Sequence, residues 1–422
     1  MRNVFAQYGQ PENQLTHALV CALDADRSLL VPFLRDIARV TGAIPKNLEV
    51  TEQSLPGELP SEDEEAGGRG LPDACIYNAE EAWVLAIESK VSSALTRDQL
   101  DRHLATLRRR GFDAPRLLTL SVDDPTVGTP TGTINARWSQ VYAWLRRHCS
   151  ASEWAGRAVE YMEICESRWP TDGYLKEGTL TEFAGYHFDA KHPYNYLEAK
   201  RVQALAMREL RAHKPLAREL GANLASTGRS AITGHGGNAV WDYIPFTFAS
   251  PQEPFTKWPH LTHGLTRVGV EAMITFPNSM RSDLRRELVA LGEEGFSRVV
   301  AEVERNLRPV LKGVDGAHPL FRSIQRHYKS QRSVPTVDAL LEFDLRTASG
   351  GGRSTPVKRQ EQWLRAAYDA LAHSRSNYQI QIGAIFPFAQ AGSKLAKKDA
   401  WGMVAAAWLA AKPILEVARG QH

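Results

Sequence analysis

Three side chains in the first quarter of the chain have the types and spacing that metal-dependent phosphate chemistry requires. Asp73 is followed after fourteen residues by Glu88, and Lys90 lies two residues further on. A hard divalent cation such as Mg²⁺ takes oxygen ligands from one or two carboxylates and leaves its other positions to water and substrate phosphate. Such an ion lowers the pKa of a bound water and screens the charge that develops on the phosphate. Two carboxylates and one ammonium group therefore make this segment the first candidate for catalysis.

The segment that carries these residues has the pattern of a β-hairpin. An apolar run at 74–77 precedes a polar turn at 78–81, and the following run at 82–91 is rich in aliphatic residues. Because successive side chains of a strand alternate between its two faces, Glu88 and Lys90 are predicted to project together.

The pairing of the two strands decides whether the aspartate joins them. If Tyr77 lies opposite Ala82, Asp73 lies opposite Ala86, diagonally beside Glu88 and on the same face. A slip of one residue would move the aspartate to the other face. We therefore predict a convergence of all three groups that depends on the strand register.

These residues resemble a known family. Pro72-Asp73, fourteen intervening residues and Glu88-Ser89-Lys90 are similar to the PD-(D/E)XK pattern of the restriction-endonuclease-like nucleases. In that superfamily the acidic pair holds the metal, and the lysine positions or activates the attacking water. The resemblance implies that Asp73 and Glu88 are ligands of Mg²⁺ or Mn²⁺ and that Lys90 is the catalytic lysine. The alternative is an ordinary hairpin that carries a solvated Glu–Lys pair.

Two helices that flank the hairpin offer further candidates. Glu12 lies at the start of the buried stripe of a helix predicted at 11–23, and the resemblance implies that an acidic residue there joins the metal site. Gln99 lies in a helix predicted at 96–110, where related nucleases carry a glutamine that contributes to the site. Each residue has a simpler alternative role. The carboxylate of Glu12 could complement the positive end of the helix dipole, and Gln99 could complete a capping box with Thr96.

The elements predicted around the hairpin follow the order of an α/β domain. Helices are predicted at 11–23, 29–41, 96–110, 138–149 and 153–168, and strands at 47–55 and 116–122, with an exposed acidic loop at 56–70. This order is similar to the restriction-endonuclease-like core, a mixed sheet flanked by helices, over residues 1–168. Residues 169–422 are predicted to form a second α+β domain, whose role would be recognition, sensing or assembly.

The elements of this second half mix helices and strands without an internal repeat. Helices are predicted at 196–212, 282–311, 357–372 and 398–419, and strands at 239–248, 264–276, 337–347 and 378–388.

Composition excludes several classes of protein. With 43% hydrophobic and 23% charged residues the chain is an ordinary globular one. It has no apolar run of the roughly 18–20 residues that cross a bilayer, and its first residues lack the apolar region of a secretory signal. Its four cysteines, without C-x-x-C spacing, indicate neither a disulfide framework nor a zinc knuckle. We expect a reduced, cytoplasmic protein whose net charge of +3 permits nucleic-acid binding without requiring it.

Other segments of the second half carry weaker signals. His187 to His192 and His260 to His263 place histidines close in sequence, but neither spacing matches a zinc site, and structurally satisfied histidines are the favoured interpretation. The glycine-rich segment 233–237 is interpreted as a flexible loop. The basic stretches 322–332 and 349–359 could follow a phosphate backbone, and a solvated helix face and a linker are the alternatives.

The sequence thus predicts a metal-dependent endonuclease that hydrolyses nucleic acid, with DNA favoured. Nucleases of the resembled type serve bacterial restriction or anti-phage defence, which implies a homodimer or a partner from a defence system as possible assemblies. Two alternatives stay open. In one, the fold is retained without catalysis, as a binding or interaction subunit. In the other, the nuclease is an effector that a ligand or partner of the second domain activates.

Overall fold

The chain forms two compact units, described here one at a time. The computed structural model describes residues 4–56, 71–124, 128–176, 178–188, 193–229, 238–327, 329, 335–349, 358, 360–373 and 378–420. Unit one spans Met1–Glu182 and unit two spans Phe183–His422.

Within its described residues, unit one combines five α-helices with one five-stranded sheet. The helices are α1 (Pro11–Ala25), α2 (Leu30–Asp36), α3 (Arg97–Arg109), α4 (Trp138–His148) and α5 (Glu153–Asp172). The strands are β1 (Glu49–Glu52), β2 (Ala74–Asn78), β3 (Trp83–Lys90), β4 (Arg116–Ser121) and β5 (Thr133–Arg137).

The sheet of unit one is mixed and follows the order β1-β2-β3-β4-β5. The pairs β1/β2 and β2/β3 are antiparallel, whereas β3/β4 and β4/β5 are parallel. Helix α3 is the crossover between the parallel strands β3 and β4, as parallel pairing requires. The end of β3 therefore lies in the middle of the sheet, with α3 directly after it in the chain.

Both faces of this sheet are covered. One face, which includes Leu85 and Ile87 of β3, packs in a core with side chains of α1, α2, α4 and α5. The opposite face, which includes Val84 and Ala86, packs against the leucines of α3. Strand β4, which confirms the strand predicted at 116–122, contributes to both cores and is therefore covered on both faces.

Most elements predicted for unit one are present, with shorter or longer bounds. The predicted helix at 29–41 is wrong in its length, because α2 ends at Asp36 and Arg39 then takes a positive φ of 48° that breaks the helical path. The predicted strand at 47–55 is reduced to β1. Strand β5 was not predicted, because its residues include the polar Asn135 and Arg137. In the structure, buried and exposed side chains alternate only weakly along it. Residues 57–70, most of the predicted acidic loop, lie outside the described part of the chain.

Unit two places nine helices beside a six-stranded antiparallel sheet, counting the elements within its described residues. The helices are α6 (Tyr196–Ala212), α7 (Lys214–Leu220), α8 (Ser282–Ala290), α9 (Gly292–Leu311), α10 (Arg346–Ser349), α11 (Gln362–Ala372), α12 (Phe388–Leu395), α13 (Ala400–Ala410) and α14 (Lys412–Ala418). The strands are β6 (Ala239–Pro245), β7 (His260–Thr266), β8 (Gly269–Phe276), β9 (His318–His327), β10 (Thr336–Asp344) and β11 (Tyr378–Pro387).

The second sheet follows the order β10-β9-β11-β8-β7-β6, and every neighbouring pair is antiparallel. One of its faces, which includes Ile274 of β8 and Ile382 of β11, packs with helices in a single core that contains the fully buried Trp408. The chain is therefore a mixed α/β protein with a mixed sheet in unit one and an antiparallel sheet in unit two.

Three predictions for unit two were wrong in detail. The single strand predicted at 264–276 is the hairpin β7–β8, whose turn at Arg267 and Val268 lacks the Gly, Asn and Asp residues that announce most tight turns. The helix predicted at 282–311 is two helices, because Gly292 has a φ of 67°. Strand β9 was not predicted, because its cations had been interpreted as a helix face.

The described residues include no single helix that is long and apolar enough to cross a bilayer. Only the bent pair α13 and α14, with 44° between its helices, meets the requirement when both are taken together, and most of its side chains lie in the core of unit two.

Candidate functional site

The hairpin β2–β3 brings the predicted acidic residues to one place, through a register that differs from the predicted one. Tyr77 pairs with Val84 instead of Ala82, and Ala74 pairs with Ile87. The next position along the ladder sets Asp73 across from Glu88. The predicted pairing was therefore wrong by two residues, a shift that keeps every side chain on its predicted face.

The turn of the hairpin explains this register. Ala82 has a φ of 46°, which places it in the turn instead of the strand. The side chain of Asn78 closes the turn, since its oxygen accepts a hydrogen bond from the Glu81 amide at 2.8 Å. Its amide group donates to the Asn47 carbonyl at 2.8 Å. Asn78 thus belongs to β2, and the turn begins one residue later than predicted.

Glu88 is the buried centre of the site, with 1% of its surface exposed. Its Oε1 atom lies 2.8 Å from Lys90 Nζ and accepts a hydrogen bond of 2.6 Å from the Gln99 amide. Its Oε2 atom lies 2.9 Å from His103 Nε2. Glu88 and Lys90 thus lie together, as predicted, and the further candidate Gln99 contacts the same carboxylate.

Asp73 lies at the accessible side of this cluster, where it is partly exposed. Its Oδ2 atom accepts a hydrogen bond of 2.7 Å from the Ser89 amide, and Gln53 Nε2 lies 3.5 Å from Oδ1. Burial and the negative charge of Glu88 raise the pKa of the Asp73 carboxyl above its ordinary value, against the opposing effects of the Ser89 hydrogen bond and the Lys90 charge. The two carboxylates therefore repel each other more than their surroundings compensate.

Gln99 serves the site instead of the capping box. Thr96 caps α3, as predicted, by accepting a hydrogen bond of 3.4 Å from the Gln99 backbone amide. The Gln99 side chain does not return to the Thr96 backbone to complete the box but points at Glu88. The amide donor fixes the orientation of the Glu88 carboxylate.

Glu12 holds the chain just beyond the site. Its Oε1 atom accepts hydrogen bonds of 3.0–3.3 Å from the backbone amides of Val91, Ser92 and Ser93 and from both serine hydroxyls. Burial acts to raise the pKa of its carboxyl, but these hydrogen bonds prevail and lower it. The observed hydrogen bonds of Glu12 thus anchor the segment that leaves β3 and do not reach Asp73.

His103 is a member of the cluster that was not among the predicted site residues. It is completely buried, with its imidazole against Glu88. The spacing contained a usable signal, because residues four apart lie on one face of a helix. His103 therefore shares a face with Gln99, and a helix that presents one to the site presents both. Arg102 and Arg108 of the same helix are exposed and leave it a basic outer surface.

The donor set of the cluster fits a hard divalent cation. Within the part of the chain that the structure describes, no group of three or more His, Cys, Asp and Glu side chains could hold a metal ion. Mg²⁺, however, needs only one or two protein carboxylates and fills its other positions with water and phosphate. Asp73 and Glu88 supply such a pair, and their mutual repulsion is the electrostatic condition that a dication relieves.

The described histidines of the two predicted segments, His187, His260 and His263, make contacts with protein groups, in agreement with the favoured interpretation. His263 is completely buried between Tyr186 Oη, 2.7 Å from its Nε2, and Gln203 Oε1, 2.8 Å from its Nδ1. His260 Nδ1 lies 3.0 Å from the Trp258 carbonyl. His187 Nε2 lies 3.0 Å from the Ala184 carbonyl, while His192 and residues 233–237 lie outside the described residues.

The basic stretch at 322–332 is largely strand β9, and its first cation is already neutralised. Arg322 makes hydrogen bonds of 2.9 and 3.0 Å to the Glu271 carboxylate and also binds Glu342. Arg326 donates to the Gln379 side chain at 2.8 Å. Both cations thus bind side chains of neighbouring strands, but only the charge of Arg322 is neutralised by carboxylates. Residues 330–334 and 350–357, with most of the second basic stretch, lie outside the described part of the chain.

No protein-family model matches the chain, and no curated protein shows significant sequence similarity to it. The site is therefore interpreted from its own geometry.

Proposed function

We propose that the chain is a metal-dependent nuclease of the PD-(D/E)XK type, with DNA as the favoured substrate. One observation carries the proposal. The two residues of an acidic pair, with fourteen residues between them in the chain, meet across a β-hairpin, and a lysine on the same face contacts one of them. The alternative of an ordinary hairpin with a solvated Glu–Lys pair is disfavoured, because Glu88 is buried.

Asp73 and Glu88 are the residues that would hold Mg²⁺ or Mn²⁺. Bound there, the ion would lower the pKa of a coordinated water and screen the negative charge of the scissile phosphate. Asp73 offers the more accessible carboxylate, whereas Glu88 is fixed in orientation by Gln99 and by the contact with His103. Such outer partners set both the direction and the basicity of a ligand.

Lys90 supplies the positive charge of the mechanism. Its ammonium group is only partly exposed, with 14% of the side-chain surface accessible, and it is held beside Glu88. A positioned ammonium in a site of reduced dielectric stabilises developing negative charge better than it would in water. Lys90 would orient the attacking water and stabilise the five-coordinate phosphorus of the transition state. Glu12 fixes the backbone directly after Lys90.

The test is cleavage of supercoiled plasmid and of single-stranded DNA by the purified protein with Mg²⁺, with Mn²⁺ and with EDTA. Lys90→Ala and Asp73→Ala should abolish cutting. Exposed residues of the same types, Lys46 and Asp113, provide the matched control variants Lys46→Ala and Asp113→Ala, which should cut like wild type. Metal-independent cutting, or cutting that survives both site variants, would contradict the proposal.

A second function, that of an effector nuclease awaiting a trigger, is favoured by one specific observation. Both oxygens of Glu88 already face protein groups, Lys90 and Gln99 at one oxygen and His103 at the other. Metal binding at Glu88 must therefore compete with the Lys90 ion pair and the Gln99 hydrogen bond at the Oε1 atom. Wild-type protein that binds DNA but cuts only after addition of an activator would support this second function over constitutive cleavage.

A further inference from the structure

A second cluster of reactive side chains lies in unit one, between α1 and β1. Residues His17 and Cys21 are four apart on α1 and therefore share a face of the helix. Cys21 Sγ lies 3.5 Å from His17 Nε2 and 3.7 Å from its Nδ1. On its other side, His17 Nδ1 lies 2.8 and 3.0 Å from the two carboxylate oxygens of Glu52, the last residue of β1. The imidazole of His17 is thus in contact with both a thiol and a carboxylate.

The surroundings hold the imidazole in place and keep it charged. Tyr8 donates a hydrogen bond of 3.0 Å to Glu52 Oε1, and the rings of Tyr8 and Phe5 meet His17 edge-on. The contacts with Cys21 and with Glu52 raise the pKa of His17 to about 10. At neutral pH a cation therefore stands 3.5 Å from the Cys21 sulfur, where it stabilises negative charge on the sulfur during nucleophilic attack.

The other three cysteines have no such environment. Cys75 and Cys165 are buried, and burial raises the pKa of each thiol to about 12. Cys149 is partly exposed like Cys21, but its thiol donates to the Leu145 carbonyl and burial raises its pKa. Cys21 combines partial exposure with an adjacent imidazolium, and it is the one cysteine of the four for which both are observed.

We propose that Cys21, with His17 and Glu52 as its positioning residues, is a nucleophilic thiol and a site of covalent modification by small disulfides such as glutathione disulfide. The Cys21 proton passes to solvent, and the thiolate attacks one sulfur of the disulfide. A new sulfur–sulfur bond forms on Cys21 while the original one breaks, and the second sulfur leaves as a thiolate that takes up a proton. The exchange consumes no further oxidant.

The experiment treats the full-length protein with glutathione disulfide and, in parallel, with iodoacetamide, and follows each cysteine by peptide mass spectrometry. Cys149 is the internal control, since it is partly exposed in the same unit. Cys21 should be modified at least about tenfold faster than Cys149, because the adjacent imidazolium stabilises negative charge on the attacking sulfur. Glu52→Gln keeps a hydrogen-bond acceptor for His17 but removes the charge, and it should slow modification of Cys21 several-fold without affecting Cys149.

Equal or slower modification of Cys21 than of Cys149 in wild type overturns the proposal, as does an unchanged Cys21 rate in Glu52→Gln. The buried Cys75 and Cys165 report the folding of the variant, because they become reactive only when unit one opens. If Glu52→Gln fails to fold, the wild-type ratio decides by itself. Tyr8→Phe, which removes one hydroxyl, then serves as the milder variant and should slow Cys21 modification to a smaller extent.

Discussion

Replacing Asp73 by asparagine is expected to make unit one more stable while abolishing its proposed activity. The pKa of the Asp73 carboxyl is raised, firstly by burial and secondly by the charge of Glu88. A carboxylate whose folded-state pKa exceeds its unfolded-state value destabilises the protein once it is ionised. Asparagine removes that charge and keeps the shape, and its side-chain oxygen can still accept the hydrogen bond from the Ser89 amide.

The effect has a defined dependence on pH. Below the ordinary aspartate pKa of 3.8 the carboxyl is protonated in both states, so the substitution should change stability little. As the pH rises from there through the raised folded-state pKa, the unfolded chain releases its proton first. Wild type therefore loses stability over this range relative to Asp73→Asn, and the difference between the two proteins is largest at neutral pH.

The size of the expected gain in stability follows from the relation between a pKa shift and free energy. One pKa unit corresponds to about 1.4 kcal/mol. Asp73 is partly exposed, and solvent screening reduces the effect of a shift at such a position. We expect a gain of about 1 kcal/mol in the free energy of unfolding at neutral pH, after that reduction.

The assay measures unfolding of unit one in urea through pulsed labelling of Cys75, a fully buried thiol of β2. Asp113→Asn, at an exposed loop position, is the matched control and should leave the urea midpoint unchanged. A midpoint that falls in Asp73→Asn, or a gain that is the same at acid and neutral pH, would refute the reasoning.

Addition of Mg²⁺ should make wild type more stable than Asp73→Asn, the reverse of the order without metal. A ligand that binds only the folded protein stabilises it by about 2.7 kcal/mol at a concentration one hundred times its Kd. Wild type should gain stability with increasing Mg²⁺, whereas Asp73→Asn should gain little, so the two midpoints should cross. If both proteins gained the same stability with increasing Mg²⁺, metal binding at Asp73 would be refuted. The electrostatic explanation for the stability of Asp73→Asn without metal would be unaffected.

Three further predictions concern the residues around the site and in unit two. Gln99→Ala removes the amide that orients Glu88. It should weaken the apparent Mg²⁺ affinity in the cleavage assay by roughly 10–100-fold, the range for residues that hydrogen-bond metal ligands. An unchanged affinity would mean that Gln99 has a role in α3 but none at the metal site. Glu12→Gln should lower the free energy of unfolding by about 1–3 kcal/mol, because charge-assisted hydrogen bonds to the segment after β3 are weakened, and urea unfolding against a Glu80→Gln control measures it. Burial lowers the pKa of His263 to about 3 and that of His260 to about 4, so folded unit two takes up protons at both groups less readily than the unfolded chain. Each of the two groups should lower the stability by roughly 1.4 kcal/mol per pH unit as the pH drops below 6.5. His263→Phe should reduce the slope by roughly one group's contribution of 1.4 kcal/mol per pH unit in urea titrations from pH 7 to pH 5, and a slope equal to that of wild type would contradict it.

Local patterns predicted the parts of unit one that local physics determines. The helix α1 begins at Pro11 because proline suits a first turn, and α3 begins after Thr96 because its hydroxyl caps the helix. Alternation along β3 correctly placed Glu88 and Lys90 on one face, since the side-chain period of a strand is fixed at two.

Relations between elements were less predictable. The hairpin register depends on Asn78 and Ala82, whose turn geometry has no strong sequence signature. The contact between His103 and Glu88 depends on how α3 packs across the sheet, which composition does not reveal. Strand β9 was missed because Arg322 looks like surface charge until Glu271, on another strand, is known to pair with it.

The most direct test of the account restores the metal to a stripped protein. Wild type, Asp73→Asn and Asp113→Asn are treated with EDTA, mixed with supercoiled plasmid and supplied with excess Mg²⁺. The account predicts that nicking resumes in wild type and in Asp113→Asn but not in Asp73→Asn. Nicking that resumes equally in all three proteins would contradict the assignment of the metal-dependent site to Asp73 and Glu88.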